Sequence, residues 1–126
     1  MSWRDEYQRK TVTVEEMAKH VKSGNFIMLG LALGSPSPRI LHAILDRALG
    51  HGINFVDTAN MYGGTAGPGI TEEIIGRWFA RGEGRRERTV LATKLYNSMK
   101  GFGRTDNWPN TTRLSALHIR QADDAS

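Results

Sequence analysis

One stretch, Ile53 to Lys94, limits what this chain can fold into. It opens with Ile53-Asn54-Phe55-Val56-Asp57 and closes with Thr89-Val90-Leu91-Ala92-Thr93-Lys94, two short apolar runs that each stop at a charged side chain. Between them, Ile70 to Arg81 places Ile74, Ile75, Trp78 and Phe79 at helical spacing. Glu72 and Glu73 fall in the first turn of that helix, where its dipole favours acids. A strand, a helix and a strand at this separation have the right length for a parallel crossover. Parallel strands end on the same edge of a sheet, so Asp57 and Lys94 are expected on one rim. Tyr62, five residues past Asp57, can fold back over that rim.

The rest of the chain extends the alternation. Met1 to Lys10 is polar and reads as a short helical or irregular lead-in. Thr13-Val14-Glu15-Glu16 is a capping-box pattern, so a helix is expected from Val14 to Val21 or Lys22, closed by Ser23-Gly24. Phe26 to Leu33, continuously apolar apart from Gly30, reads as a buried first strand. After the loop Gly34-Ser35-Pro36-Ser37-Pro38, Ile40, Leu41, Ile44, Leu45 and Leu49 give a helix its apolar face, and Gly50 is expected to end it. Strands are then expected at Ile53–Asp57 and Thr89–Thr93, an irregular segment from Leu95 to Arg113, and a last helix from Ala116, capped by Ser115. Alternating strands and helices point to an α/β fold with a parallel sheet.

Composition excludes several functions. The chain has 126 residues, 39% hydrophobic and 24% charged, enough for one domain or for part of a large one. Its longest apolar run, eight residues, is far short of a membrane span, and charge at Arg4, Asp5 and Glu6 argues against a signal peptide. No membrane association is expected, and a cytoplasmic location fits. Without cysteine there is no disulfide, thiol nucleophile or cysteine-ligated metal. The four histidines show no metal-ligand spacing backed by acids. Net charge is +4, much of it in Arg81 to Arg88, where Glu83 and Glu87 dilute the field. That run reads as a solvated loop rather than a nucleic-acid surface. The glycine-rich loop after Tyr62 lacks the phosphate-loop lysine and the dinucleotide spacing, so a mobile substrate-side loop suits it better.

A carboxylate, a phenol and an ammonium on one rim make a coherent acid–base set. A phenol's ordinary pKa of about 10 makes it a weak acid at neutral pH. A nearby ammonium stabilises the phenolate, and a carboxylate beyond it holds the ammonium in place. Tyr62 as general acid, Lys94 as its tuner and Asp57 as anchor would suit proton delivery to a carbonyl oxygen while hydride reaches the carbon. The plainer alternative is that Asp57 caps a strand end, Tyr62 packs on a loop and Lys94 is simply exposed.

Two resemblances sharpen these expectations. From His42 or Ile44 to Ser126 the chain resembles the aldo-keto reductase family in its bacterial branch. The motifs are Gly52-Ile53-Asn54-Phe55-Val56-Asp57-Thr58-Ala59-Asn60-Met61-Tyr62-Gly63, Thr71-Glu72-Glu73-Ile74-Ile75-Gly76-Arg77-Trp78, Val90-Leu91-Ala92-Thr93-Lys94 and Trp108-Pro109-Asn110, followed by Arg113-Leu114-Ser115-Ala116-Leu117-His118-Ile119-Arg120. The resemblance implies an eight-stranded barrel, NADPH as cofactor, an aldehyde or ketone as substrate, and Asp57, Tyr62 and Lys94 as three of four catalytic residues. The family's fourth, a histidine at the end of the fourth strand, lies beyond this sequence, as do the strands that hold the cofactor's phosphates. A whole barrel takes about 250 residues, so a partial TIM-barrel-like fragment of about three strands is expected.

Residues 1 to about 48 instead resemble the amino terminus of acetyl-CoA hydrolases and transferases of the 4-hydroxybutyrate CoA-transferase type. Trp3-Arg4-Asp5-Glu6-Tyr7, Val12-Thr13-Val14-Glu15-Glu16, Val21-Lys22-Ser23-Gly24 and Gly34-Ser35-Pro36 carry that likeness. It implies an acyl-CoA loop at Gly34, Ser35 and Pro36. The chain is thus expected to be a hybrid, with a CoA-transferase-like segment at 1–48 and a reductase-like fragment at 49–126. Three functional readings follow: a reductase fragment inactive in isolation, an acyl-CoA site without turnover, or a non-catalytic module. With three strands unable to close a barrel, homo-oligomerisation through an exposed sheet edge is expected.

Overall fold

A computed structural model describes residues 1–29, 36–98 and 108–124. The chain divides into two compact units. One holds Met1–Ile27 and Pro36–Ile53; the other is built from residues 28–29, 54–98 and 108–124 among those described.

The first unit is helical. Helix α1 (Trp3–Lys10) begins at a reciprocal cap: Ser2 Oγ accepts from the Asp5 N–H at 3.2 Å, and the Asp5 carboxylate accepts from the Ser2 N–H at 2.8 Å. Helix α2 (Val14–Ala18) starts on the predicted Thr13/Glu16 capping box. It stops short of the predicted end because the chain tightens into three-residue steps, His20 N–H to Met17 O and Val21 N–H to Ala18 O. That turn still delivers Val21 into a cluster with Ile44 and Ala48, with Met17, Ile27, Ile40 and Ile53 against it. Helix α3 (Pro38–Gly50) has Ser37 at its cap and Pro38 at its first position, where a missing N–H costs nothing. It buries Leu41, Ile44, Ala48 and Leu49, as the apolar spacing predicted apart from Ala48. The helix ends at Gly50, as expected. The left-handed step comes at Gly52 (φ +77°), after which the Ile53 N–H returns to the Ala48 carbonyl at 2.9 Å.

The second unit carries the sheet. Strands β1 (Phe55–Asp57) and β2 (Val90–Ala92) run parallel, in the register Phe55 to Val90, Val56 to Leu91 and Asp57 to Ala92. Both regular strands are shorter than predicted, but the backbone pairing goes further. The Val90 N–H reaches the Asn54 carbonyl at 2.9 Å, Thr58 N–H reaches Ala92 at 2.8 Å, and Asn60 N–H reaches Lys94 at 3.0 Å. Helix α4 (Ile70–Phe79) forms the crossover and buries Ile74, Ile75 and Trp78. The basic run is less solvated than expected. It contains a one-turn helix, α5 (Arg85–Arg88), and Arg85 is buried, its guanidinium 5.9 Å from the Trp78 ring and donating to the Gly82 carbonyl at 2.9 Å. Helix α6 (Ala116–Asp124) starts where Ser115 predicted, the Ser115 hydroxyl accepting from the His118 N–H at 3.2 Å. His118 is buried, with Nε2 2.8 Å from the Leu95 carbonyl, a packing role rather than a surface one.

The predicted first strand is not seen. Residues 26–29 have no strand pairing, and Phe26 and Met28 are 86% and 82% exposed. Residues 30–33 lie outside the described residues. A continuous apolar run marks a strand only where neighbours cover both its faces, and Phe26 and Met28 lack that cover. The described residues therefore make a mixed helix and strand structure with a two-stranded parallel sheet, rather than three strands. No helix among them is long and apolar enough to cross a membrane.

Candidate active site

The C-terminal ends of β1 and β2 share an edge because the strands are parallel and in register, so the residues just past them meet. Lys94 Nζ donates to Asp57 Oδ2 at 2.6 Å and to the Thr58 carbonyl at 2.9 Å. The same ammonium stands 5.3 Å from the centre of the Tyr62 ring, within cation–π range. The structure thus brings all three reductase-like candidates, Asp57, Tyr62 and Lys94, to one rim. Of the acyl-CoA loop candidates, Gly34 and Ser35 lie outside the described residues, and Pro36 belongs to the first unit, two residues before α3.

Local folding holds each member. Side chains alternate across a strand, so Phe55 and Asp57 leave one face of β1 while Val56, Thr58 and Asn60 leave the other. Tyr62 is set by the turn after β1, where its N–H donates to the Ala59 carbonyl at 3.0 Å and its carbonyl accepts from the Thr71 N–H at 3.1 Å. Gly63 permits the next step. A Cβ there would lie 1.7 Å from the Gly67 carbonyl oxygen, so only glycine lets the loop fold this closely onto itself. Gly69, at φ +82°, makes the left-handed entry into α4.

The hydrogen bond to Asp57 holds the Lys94 ammonium above the ordinary lysine value. Its slight burial works against this, and the interactions with Tyr62 add to the rise. Lys94 and Asp57 side chains are 50% and 55% exposed, so solvent screens the pair. The arrangement positions a persistent positive charge beside a phenol, with the charge fixed by a carboxylate and a backbone carbonyl. Such a set can hold and transfer a proton at the phenolic oxygen.

Sequence reasoning missed three participants. The Thr58 carbonyl is a second anchor for Lys94, and backbone acceptors leave no trace in side-chain patterns. The Thr93 hydroxyl donates to the Glu72 carboxylate, linking α4 to the residue before Lys94. Thr58 and Asn60 are fully buried, and neither Thr58 Oγ1 nor the Asn60 amide has a hydrogen-bond partner. Strand parity could have placed Thr58, Asn60 and Thr93 on the face opposite Asp57. Among the described residues no three acids or histidines cluster as metal ligands.

Comparison with known proteins bears on the same segment. The chain is 49% identical over 79 residues to an uncharacterised oxidoreductase, YrpG, of Bacillus subtilis, covering 62% of this chain and 23% of that protein. It is 47% identical over 58 residues to a 6-dehydroglucose reductase of Novosphingobium aromaticivorans, covering 44% and 18%. It is 40% identical over 82 residues to an aldo-keto reductase of Schizosaccharomyces pombe, yakc, whose name includes NADP(+), covering 65% and 20%. The aligned part is about a fifth of each of these relatives. The family match starts at residue 27, upstream of the boundary near His42 or Ile44 that the motifs suggested, and takes in α3. Matched to the aldo/keto reductase family over residues 27–126, the chain belongs to that family.

Proposed function

We propose that this chain carries the proton-handling part of an NADPH-dependent carbonyl reductase, with Tyr62 as the proton donor, Lys94 as the cation beside it and Asp57 as the anchor. The observation that carries this is the convergence of the three on one rim, with Lys94 Nζ 2.6 Å from Asp57 and 5.3 Å from the Tyr62 ring. As the phenol gives its proton to a carbonyl oxygen, negative charge develops on the phenolic oxygen and the adjacent ammonium stabilises it. Asp57 and the Thr58 carbonyl keep that ammonium from turning to solvent. The substrate is an aldehyde or ketone, the class that takes a proton at oxygen. The fold is read as a quarter of a TIM barrel, and the location as cytoplasmic.

The loop that opens α4 does not fit the cofactor's phosphates. The glycine-rich loop that opens α4, residues 63–69, leads into a first turn holding Glu72 and Glu73, and carboxylates there disfavour a phosphate. No hydride step is therefore assigned to this chain. Residues 1–48 enter the proposal as a CoA-transferase-like opening joined near residues 45–50, close to the unit boundary after Ile53.

The test follows the carbon resonance beside the Lys94 amine through its titration. Asp57→Asn and Tyr62→Phe should each lower the Lys94 value; no change in either would overturn the assembled rim. Mixed with NADPH and 4-nitrobenzaldehyde, the 126-residue chain should show no rate above the blank. A rate that Tyr62→Phe leaves intact would remove Tyr62 as donor. Quenching of NADPH fluorescence, beside a binding assay for acetyl-CoA, separates the readings: binding of neither would leave a non-catalytic module.

A further inference from the structure

The first turn of α4 touches both halves of the rim. The Thr71 N–H donates to the Tyr62 carbonyl at 3.1 Å, and the Thr93 hydroxyl donates to Glu72 Oε1. Thr71 and Glu72 are adjacent on one helix. The backbone of the phenol-bearing residue and the residue just before the ammonium-bearing one are therefore tied to a single rigid turn. Parity explains why the tie goes through Thr93: it leaves β2 on the α4 side, and Lys94 leaves on the side of Asp57. A hydroxyl donating to a carboxylate is among the stronger hydrogen bonds available to a side chain.

Glu72 is an odd choice if stability were the sole concern. Its other oxygen, Oε2, is buried with no hydrogen-bond partner. A buried, unpaired carboxylate oxygen is costly, and the helix N-terminus offsets only part of that. An apolar pair at positions 72 and 93 would avoid the cost but would surrender the directional link between α4 and the approach to Lys94.

We propose that Glu72 is a positioning residue for the Lys94–Tyr62 pair. Through Thr93 it sets where the chain leaving β2 presents Lys94, while the neighbouring Thr71 N–H sets Tyr62 from the same turn. The proposal rests on the rim described above, and its test keeps the two apart. In the full chain, wild-type Lys94 should titrate above the ordinary value of 10.5. Glu72→Ala and Thr93→Val should each return it toward 10.5. Glu72→Gln keeps an acceptor and Thr93→Ser keeps a hydroxyl, so both should leave the value raised. Thr93→Val has the shape of threonine and reads the same bond if Glu72→Ala does not fold. A Lys94 value lowered by Asp57→Asn but untouched by Glu72→Ala and Thr93→Val would overturn the positioning role and leave the rim standing. A value that Asp57→Asn does not move would bring down the rim itself, and with it the role of Glu72. Glu72→Gln behaving like Glu72→Ala would also overturn the proposal, because charge rather than the bond would then be responsible.

Discussion

Lys94 is the residue on which the site turns, and its protonation gives a direct measure of the rim. Folded Lys94 holds its proton more tightly than an ordinary lysine, whose value is 10.5, chiefly through its hydrogen bond to Asp57. The pair's contribution to stability is then fully present below that value and is lost as pH rises through the higher folded value. Because both partners are half exposed, the contribution is about 1 kcal/mol or less. Lys94→Met should lower the urea midpoint slightly at neutral pH, and the gap from wild type should close in strongly alkaline buffer. A gap that widens with alkalinity would contradict the pairing. Asp57, Tyr62 and Lys94 were legible in the sequence because chain direction and strand ends place them, with no need of distant contacts. The Thr58 carbonyl and the Glu72–Thr93 bond were not, since each depends on how α4 and β2 approach in space.

At the scale of elements, caps were the most readable signal and ends the least. The Thr13/Glu16 box forms as its spacing predicts, with the Thr13 hydroxyl accepting from the Glu16 N–H at 3.1 Å. Thr13→Ala should cost about 1 kcal/mol, visible as lost helical circular dichroism. Hydrogen bonds from the Thr13 N–H and hydroxyl keep the Glu16 carboxyl below its ordinary value of 4.5. That support is present above 4.5 and disappears as pH falls through the lower folded value, so α2 should fray in acid, and in Glu16→Gln this acid step should vanish. In the second unit, α4 hangs on Trp78, 1% exposed and stacked beneath the Arg85 guanidinium. Trp78→Ala should cost about 3–5 kcal/mol. Trp3 and Trp108 are largely exposed, so the same substitution should remove the blue-shifted part of the tryptophan emission. Unchanged emission would show that Trp78 is not the buried ring. The basic run around Arg85 read as solvated loop because composition cannot reveal that one of several arginines lies against a ring.

For the whole molecule, the face of the sheet that bears the rim is the exposed one. Phe55 and Val90 are paired in register and are 62% and 53% exposed, and among the described residues each strand has one partner. An apolar, half-paired sheet promotes association. Sedimentation should therefore depend on concentration, and Phe55→Lys with Val90→Lys should abolish that dependence; a wild-type chain that stays monomeric throughout would refute it. By itself the sequence determined where α2, α4 and α6 start, the parallel crossover from Phe55 to Ala92 and the rim of acid, phenol and amine. Those features follow from caps, period and chain direction, which operate over a few residues. Only the tertiary structure decided that residues 26–29 form no strand, that Arg85 is buried and that Glu72 holds Thr93. Each of these depends on which distant surface comes to lie against a segment, and apolar character alone does not say whether such a surface arrives.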